Sequence, residues 1–322
     1  MIHQAIRIRI RSSPSSKLLK QQALLSSSSS SAAATQNRAL SSSFLSQPPV
    51  AALVPPGKCQ FTPDFQPVPL LERHEVSPTS SLLRFGLPDA TRPLNLSTCA
   101  CILAKASIID DDDNDDKQDV MEIRPYTPIS TNALVGSFEL LVKNYGDKGI
   151  MSRHLCETIQ VGESIDFKHI DPNVKIQAPF PQKNVVMLTG GTGITPMMQA
   201  LHAILGDASS HNQVTMLYGS KVSSDILASD LLDQWDQDYP DQLQVTHVLS
   251  DEPQESSWKG ERGILDQALL HAYLPPPDDD VIILVCGPPP MYKALCGPRD
   301  EPTKLTGVLA EMGYKVEQVY KF

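Results

Sequence analysis

From residue 61 to about residue 176 the apolar positions come in short runs at the two-residue period, each cut off by proline, glycine or aspartate. Residues 82–85, 99–104, 120–124, 137–142 and 164–167 are such runs, and several short strands at this spacing predict a small antiparallel β-barrel. After a proline-containing linker, 177–183, the pattern changes. Residues 185–189, 214–218, 243–249 and 281–285 are apolar without alternation, as strands covered on both faces are. Stretches of helical character lie between and after them, at 196–205, 225–237, 265–273 and 303–312. Strand and helix in alternation make βαβ units, so residues 184–322 are expected to form an α/β domain with a doubly wound parallel sheet, its ligand at the carboxyl ends of the strands. No internal repeat is visible.

The first sixty residues follow neither pattern. They hold no acidic residue but include Arg7, Arg9, Arg11, Lys17, Lys20, Arg38 and Lys58, with a serine tract at residues 26–31. Arg-rich, Ser-rich and acid-free composition is that of an organelle transit peptide; a disordered tail is the plainer alternative. Arg38-Ala39-Leu40-Ser41-Ser42 resembles a mitochondrial processing site cut after Leu40, so a mitochondrial destination is expected, with a plastid as the alternative.

Charge sharpens this division. The whole chain of 322 residues carries −10, yet past the leader 20 basic residues face 37 acidic ones. A body that acidic repels phosphate backbones and argues against nucleic acid as the main partner. No window approaches the eighteen or so apolar residues of a membrane span, so any membrane attachment is expected to be peripheral. The six cysteines include no CxxC pair and lack iron–sulfur spacing, which signals neither a zinc site nor a cluster; no metal is expected. The aspartate-rich run 110–116 reads as a solvated hairpin loop.

Four segments carry candidate chemistry. Gly190-Gly191-Thr192-Gly193-Ile194-Thr195-Pro196 follows the first parallel strand and opens a helix; its glycines permit close backbone approach, and the helix start offers N–H groups to a pyrophosphate. Cys286-Gly287-Pro288-Pro289-Pro290-Met291 ends the fourth strand at the same sheet edge. Its glycine leaves room for a planar ring and its prolines read as a rigid loop, although by itself Cys286 suits an ordinary buried cysteine. In the barrel, Arg124-Pro125-Tyr126-Thr127-Pro128 holds Arg124 and Tyr126 on one side of an extended strand. Gly149-Ile150-Met151-Ser152 precedes a short helical stretch with Ser152 as its expected cap.

In this order, and with a terminal Phe322, the segments resemble the ferredoxin–NADP reductase superfamily, and within it the NADH–cytochrome b5 reductase branch, over residues 61–322. The resemblance implies that the barrel binds FAD through Arg124, Pro125, Tyr126 and Thr127, with Thr127 near the reactive flavin nitrogen. Lys143 contacts the flavin, Met151 and Ser152 hold the FAD pyrophosphate, and Thr195 reaches the flavin from the second domain. Gly190, Gly191, Thr192, Gly193, Cys286, Gly287, Pro288 and Met291 line the nicotinamide nucleotide site, Cys286 lying against the nicotinamide, and Phe322 is placed over the flavin. Thr127 and Cys286 are the expected catalytic residues. Hydride passes from NADH to FAD by alignment alone, and single electrons go on to a small acidic or haem-containing acceptor protein such as cytochrome b5. Asp251, matching an acidic residue near the adenine ribose, favours NADH over NADPH, whereas Ser220-Lys221 stands where NADPH users carry a serine and a basic residue. Three segments depart from the family: Ser97-Thr98-Cys99 replaces Gly-Gln-His, Lys168-His169-Ile170 replaces Arg-Gly-Pro, and Ile150 stands where lysine or glycine is usual. The rival readings are an NADPH-preferring flavin reductase with a ferredoxin-like or quinone acceptor, and a redox-inactive nucleotide-binding module.

Overall fold

The computed structural model describes residues 6–9 and 47–322, apart from 111–117, 172–174 and 279. Two sheets organise it. The first is antiparallel and holds β1 (Ile6–Arg9), β2 (Gln66–Ser77), β3 (Ser80–Gly86), β4 (Ile102–Asp110), β5 (Gln118–Tyr126), β6 (Ser137–Lys143) and β7 (Ser164–Lys168) in the order β1-β5-β4-β7-β2-β3-β6. β2 pairs with β7 through Gln66–Pro69 and with β3 beyond Leu70, so one long strand turns the corner of the half-barrel. Inside, Phe61, Phe85, Phe138 and Phe167 pack with ring centroids 5.0–5.9 Å apart, mostly edge to face, the arrangement aromatic quadrupoles favour.

The second sheet is parallel in its pairings, in the order β11 (Glu261–Arg262), β10 (Leu243–Leu249), β9 (Gln213–Ser220), β8 (Asn184–Gly190), β12 (Val281–Cys286), β13 (Val319–Lys321). Val185–Leu188 and Val281–Val285 are buried throughout, which explains why these strands are apolar without alternation. Helix α1 (Ile150–Arg153) belongs to the first domain; α2 (Ile194–Leu205), α3 (Ser229–Asp238), α4 (Gln267–Tyr273), α5 (Pro289–Leu295) and α6 (Val308–Glu311) belong to the second.

Sequence expectation and structure differ in five places. β2 reads poorly from sequence because Pro67 and Pro69 interrupt it; the segment that carries them pairs with β7, and β3 joins only from Leu70 on, which leaves the one-sided edge on which a strand tolerates proline. The run expected as a strand from Cys99 begins only at Ile102, because Cys99 adopts φ +60° in a turn closed by Ala100 N–H on Ser97 O. The helix expected from Asp225 begins at Ser229, after a 3-10 turn and Ala228 at φ +56°. The helix expected from residue 303 is confined to α6, which starts after Gly307 at φ +74°. The three prolines read as a rigid loop open α5, with Pro289 in its first turn, where a missing N–H costs nothing. The acidic run from 111 onward lies outside the described residues; its flanking strands pair as far as Asp110 with Gln118.

The domains share an interface rather than merely a linker. Leu82, Cys99, Ile129 and Leu141 of the barrel join one apolar cluster with Met197, Met198, Ala200 and Leu201 of α2, and Gln199 Nε2 donates to Pro128 O (2.8 Å) and Ser130 O (2.7 Å). Residues 47–60, the end of the expected leader, lie along the body as a strap. Trp235 Nε1 donates to Gln47 O (3.2 Å), Val50 N–H to His202 Nδ1 (3.0 Å), Asn132 Nδ2 to Ala52 O (2.9 Å) and Gln60 N–H to Leu94 O (2.7 Å).

Burial pushes His202 down to about 4, so the ring stays neutral and keeps the lone pair that receives Val50. A histidine depressed on folding contributes stability that is whole above its unfolded value of ~6.5 and drains away as pH falls towards 4. Wild-type protein is therefore expected to lose up to about 3 kcal/mol over that window that a His202→Gln variant does not lose; equal acid sensitivity in denaturant titrations of the two would contradict this.

Candidate functional site

The carboxyl ends of β8, β9 and β12 face the rim of the half-barrel, and a cleft of about 1020 Å³ opens between them. That exceeds the usual range for a single small ligand, ~300–1000 Å³. Its floor on the second domain is made by two loops pressed together. A Cβ on Gly193 would collide with the Cys286 carbonyl oxygen and come within 2.5 Å of its carbon, and one on Gly190 would meet Met291 Sδ and Pro288 Cδ at 2.8 Å. Glycine at these positions lets the loop after β8 nest against the loop after β12. Gly191 differs: at φ +53° a Cβ there would touch no protein atom, so its face is open to the cleft. Tyr218 Oη donates to Gly191 O (3.0 Å) and fixes that turn from beneath.

On the barrel side, β5 ends in Arg124, Pro125 and Tyr126, with Thr127 next, all lining the cleft. Arg124 Nη2 lies 2.5 Å from Oε2 of the fully buried Glu122 and Nη1 donates to Ile123 O (2.9 Å), which aims the guanidinium along the wall. Burial pushes the Tyr126 phenol well above its ordinary value, so it carries its proton and is uncharged. Ser152 is not the helix cap. The cap is Gly149, and the Ser152 hydroxyl sits one turn in, donating to Gly149 O (2.9 Å) and accepting Tyr145 N–H (3.2 Å).

Three side-chain contacts cross the cleft, one of them from Thr79 Oγ1 to Asp225 Oδ1 (3.1 Å). Lys143 Nζ meets Asp225 Oδ1 at 3.0 Å, and Tyr145 Oη lies 3.2 Å from Thr192 Oγ1. Among the described residues the lining holds the side chains of Arg124, Lys143, Lys148, Lys175, Lys221 and Arg299 against the one side-chain carboxylate of Asp225. In a chain of net −10, this inverts the local field and focuses it on anionic ligands. Cys286 faces the cleft with its thiol raised by burial to about 11, so the sulfur is a neutral, polarisable surface at any ordinary pH rather than a thiolate.

Comparison with known proteins agrees with this geometry. Residues 67–173 match the model of an oxidoreductase FAD-binding domain and residues 187–297 that of an oxidoreductase NAD-binding domain. NADH-cytochrome b5 reductase 2 of Scheffersomyces stipitis is 34% identical over 257 residues, covering 79% of this chain and 82% of that one. The chain belongs to the NADH–cytochrome b5 reductase family. The protein of the same name from Aspergillus fumigatus is 35% identical over 79% of this chain and 76% of its own. The crystal structure of the cytochrome b5 reductase domain of Ulva prolifera nitrate reductase superposes with a TM-score of 0.70 at 26% identity, over 82% of this chain and all of that domain. The expected architecture, an antiparallel FAD-domain sheet followed by a parallel NAD-domain sheet, is that of this reductase family.

The residues fit the two nucleotides that the family models name. The open face of Gly191 and the nested glycines give a planar or phosphate group backbone-close access. Thr192 and Thr195 present the start of α2, a twelve-residue helix, whose free N–H groups suit a phosphate. Every residue expected at the site lines this one cleft except Asp251. Asp251 stands exposed beside it, its N–H donating to Lys221 O (2.8 Å). Phe322 is held at the cleft's edge: its N–H donates to Val285 O (3.1 Å), its carbonyl accepts from Tyr292 Oη (2.9 Å), and its ring packs edge-on to Tyr320. Sequence reading missed Tyr145, Lys148, Lys175, Asp225 and Arg299. Tyr145 and Lys148 stand beside Gly146 and Gly149 and Arg299 follows Gly297-Pro298, a signal that could have found them; Lys175 and Asp225 carry only their charge as a mark.

Proposed function

We infer that this chain is an FAD-dependent reductase that oxidises NADH and delivers electrons to cytochrome b5. The observation that carries the reading is the convergence of Arg124, Tyr126 and Thr127 from one domain with the Gly190–Gly193 turn and Cys286 from the other on a single cation-lined cleft. FAD, held by the segment from Arg124 to Thr127, would supply the conversion of a two-electron hydride donor into a one-electron output. The protein's part is to bind and orient. Arg124 neutralises diphosphate charge, Tyr126 offers an uncharged ring face, and the neutral Cys286 sulfur bounds the nicotinamide site without reacting. No acid–base pair is required of it.

The test is an absorption spectrum of the purified protein before and after anaerobic NADH. A flavin band near about 450 nm that bleaches promptly, with electrons then passing to added cytochrome b5, supports the reading; a colourless protein that cannot be reconstituted with FAD sinks it.

For the coenzyme, NADH is the reading favoured by the family, while Lys221 in the cleft lining favours NADPH. A carboxylate near an exposed 2′-phosphate is worth about 1 kcal/mol at 4 Å in water. Asp251→Ala is accordingly expected to raise the NADPH-to-NADH ratio of kcat/KM about five- to tenfold. An unchanged ratio removes Asp251 from the discrimination. We also propose import into mitochondria by the first sixty residues, supported by their acid-free, Arg- and Ser-rich composition; fusion of residues 1–60 to a fluorescent reporter tests it, and a plastid or diffuse signal refutes it.

A further inference from the structure

Asp225 carries the one side-chain carboxylate among the described residues that line the cleft. It belongs to the second domain, in the 3-10 turn Ser223–Asp225 just past β9, and its carboxylate reaches across to the barrel. Lys143 Nζ lies 3.0 Å from Asp225 Oδ1 and Thr79 Oγ1 donates to the same oxygen at 3.1 Å. The side chains are mostly sheltered, 17% exposed for Lys143 and 15% for Asp225, so solvent screens them less than a surface pair. Each end is braced independently of the pair. Asn144 N–H on Thr79 O (2.7 Å) ties the two barrel partners together. Ser223 N–H and Oγ donate to the Glu252 carboxylate at 2.7 and 3.2 Å and hold the turn that presents Asp225.

We propose that Asp225 is a positioning residue for the coenzyme: it pins the Lys143 ammonium at the seam between the domains, and the pairing masks Asp225's own charge from the phosphates that enter the cleft. Two physical facts support this. A lysine on a flexible four-carbon stem holds one place only when something fixes its end. A bare carboxylate in a wall otherwise made of five other cations would repel the anionic ligand those cations attract. Lys143 and Asp225 therefore act as a unit. Removing Lys143 does harm twice, taking away a cation and uncovering an anion; removing Asp225 as well undoes the second part.

The inference rests on the NADH reading of the cleft, and its test separates the two. NAD+ is titrated calorimetrically into FAD-loaded full-length wild type, Asp225→Asn, Lys143→Met and the double variant, and KM and kcat for NADH are measured alongside. Asp225→Asn is expected to raise the NAD+ Kd about three- to tenfold and Lys143→Met about thirtyfold. The double variant should bind about fivefold more tightly than Lys143→Met alone, as coupled neighbours do. KM for NADH should rise more than kcat falls. Thr79→Val leaves both charges in place and removes only the hydroxyl; it should weaken NAD+ about two- to threefold, which keeps the test open if a charge variant does not fold. Single effects that simply multiply in the double variant, or wild-type affinity in Asp225→Asn or Thr79→Val, would reduce the cluster to an ordinary ion pair and overturn the proposal. Wild-type protein that carries FAD but neither binds NAD+ nor bleaches with NADH would instead overturn the functional reading.

Discussion

Gly193→Ala is expected to unfold the coenzyme site. The backbone at Gly193, φ −60° and ψ −11°, suits alanine, so local conformation gives no objection. The objection is steric and lies 93 positions away: the new methyl would be driven into the Cys286 carbonyl, with Gly287 N also only 3.0 Å off. Backbone cannot rotate aside as a side chain can, so the two loops must separate. Overpacking of this kind costs about 3 kcal/mol, or a drop in Tm of about 4–5 °C for a chain of 322 residues, and NADH-dependent bleaching should be lost with it. Gly191→Ala makes the contrast. Its methyl meets no protein atom, but φ +53° costs alanine about 1–2 kcal/mol and the methyl enters the ligand's space. That variant should lose coenzyme affinity with a smaller loss of Tm. Equal melting of Gly193→Ala and wild type would show that the loops are not nested as described.

Arg124→Ala and Tyr126→Ala are expected to emerge from gel filtration with less than about a tenth of the wild-type flavin, a loss of more than about 1.4 kcal/mol in affinity per tenfold. Arg124 has a structural duty as well, since its guanidinium forms an ion pair with the buried Glu122 carboxylate; removing one partner of a buried pair costs about 3–5 kcal/mol. Arg124→Lys separates the duties: it keeps a cation but cannot form the planar fork, so FAD binding should be weakened and not abolished. Tyr126→Phe keeps the ring and should keep FAD. Stoichiometric flavin in both alanine variants would falsify the assignment of this segment to FAD.

How far the sequence could be read followed from how local each cause was. The strands β8 and β12 were legible because burial on both faces leaves a continuous apolar run. The ligand loops were legible because close backbone approach needs glycine, as Gly190 and Gly193 show. Where the cause was a distant contact, reading failed. β2 hides two prolines on a one-sided edge that only the sheet reveals. Cys99 looks like strand, yet it takes up a left-handed conformation and directs its thiol to Pro196 O (3.2 Å) in the other domain. Asp225 looked like the first residue of a helix; the turn that takes it out of the helix is the same one that delivers it to Lys143. Asp251 was given a place by analogy of position, and the structure sets it just outside the cleft lining.

The shared apolar cluster bears on how the molecule comes apart. Leu82, Ile129 and Leu141 are buried in the same apolar cluster as α2, so parting the domains would wet part of the surface that unfolding the second domain exposes. The two halves, although each matches a separate family model, should then melt together. Scanning calorimetry of the FAD-free protein should show one endotherm whose measured enthalpy equals its van 't Hoff value, and neither half expressed alone should reproduce it.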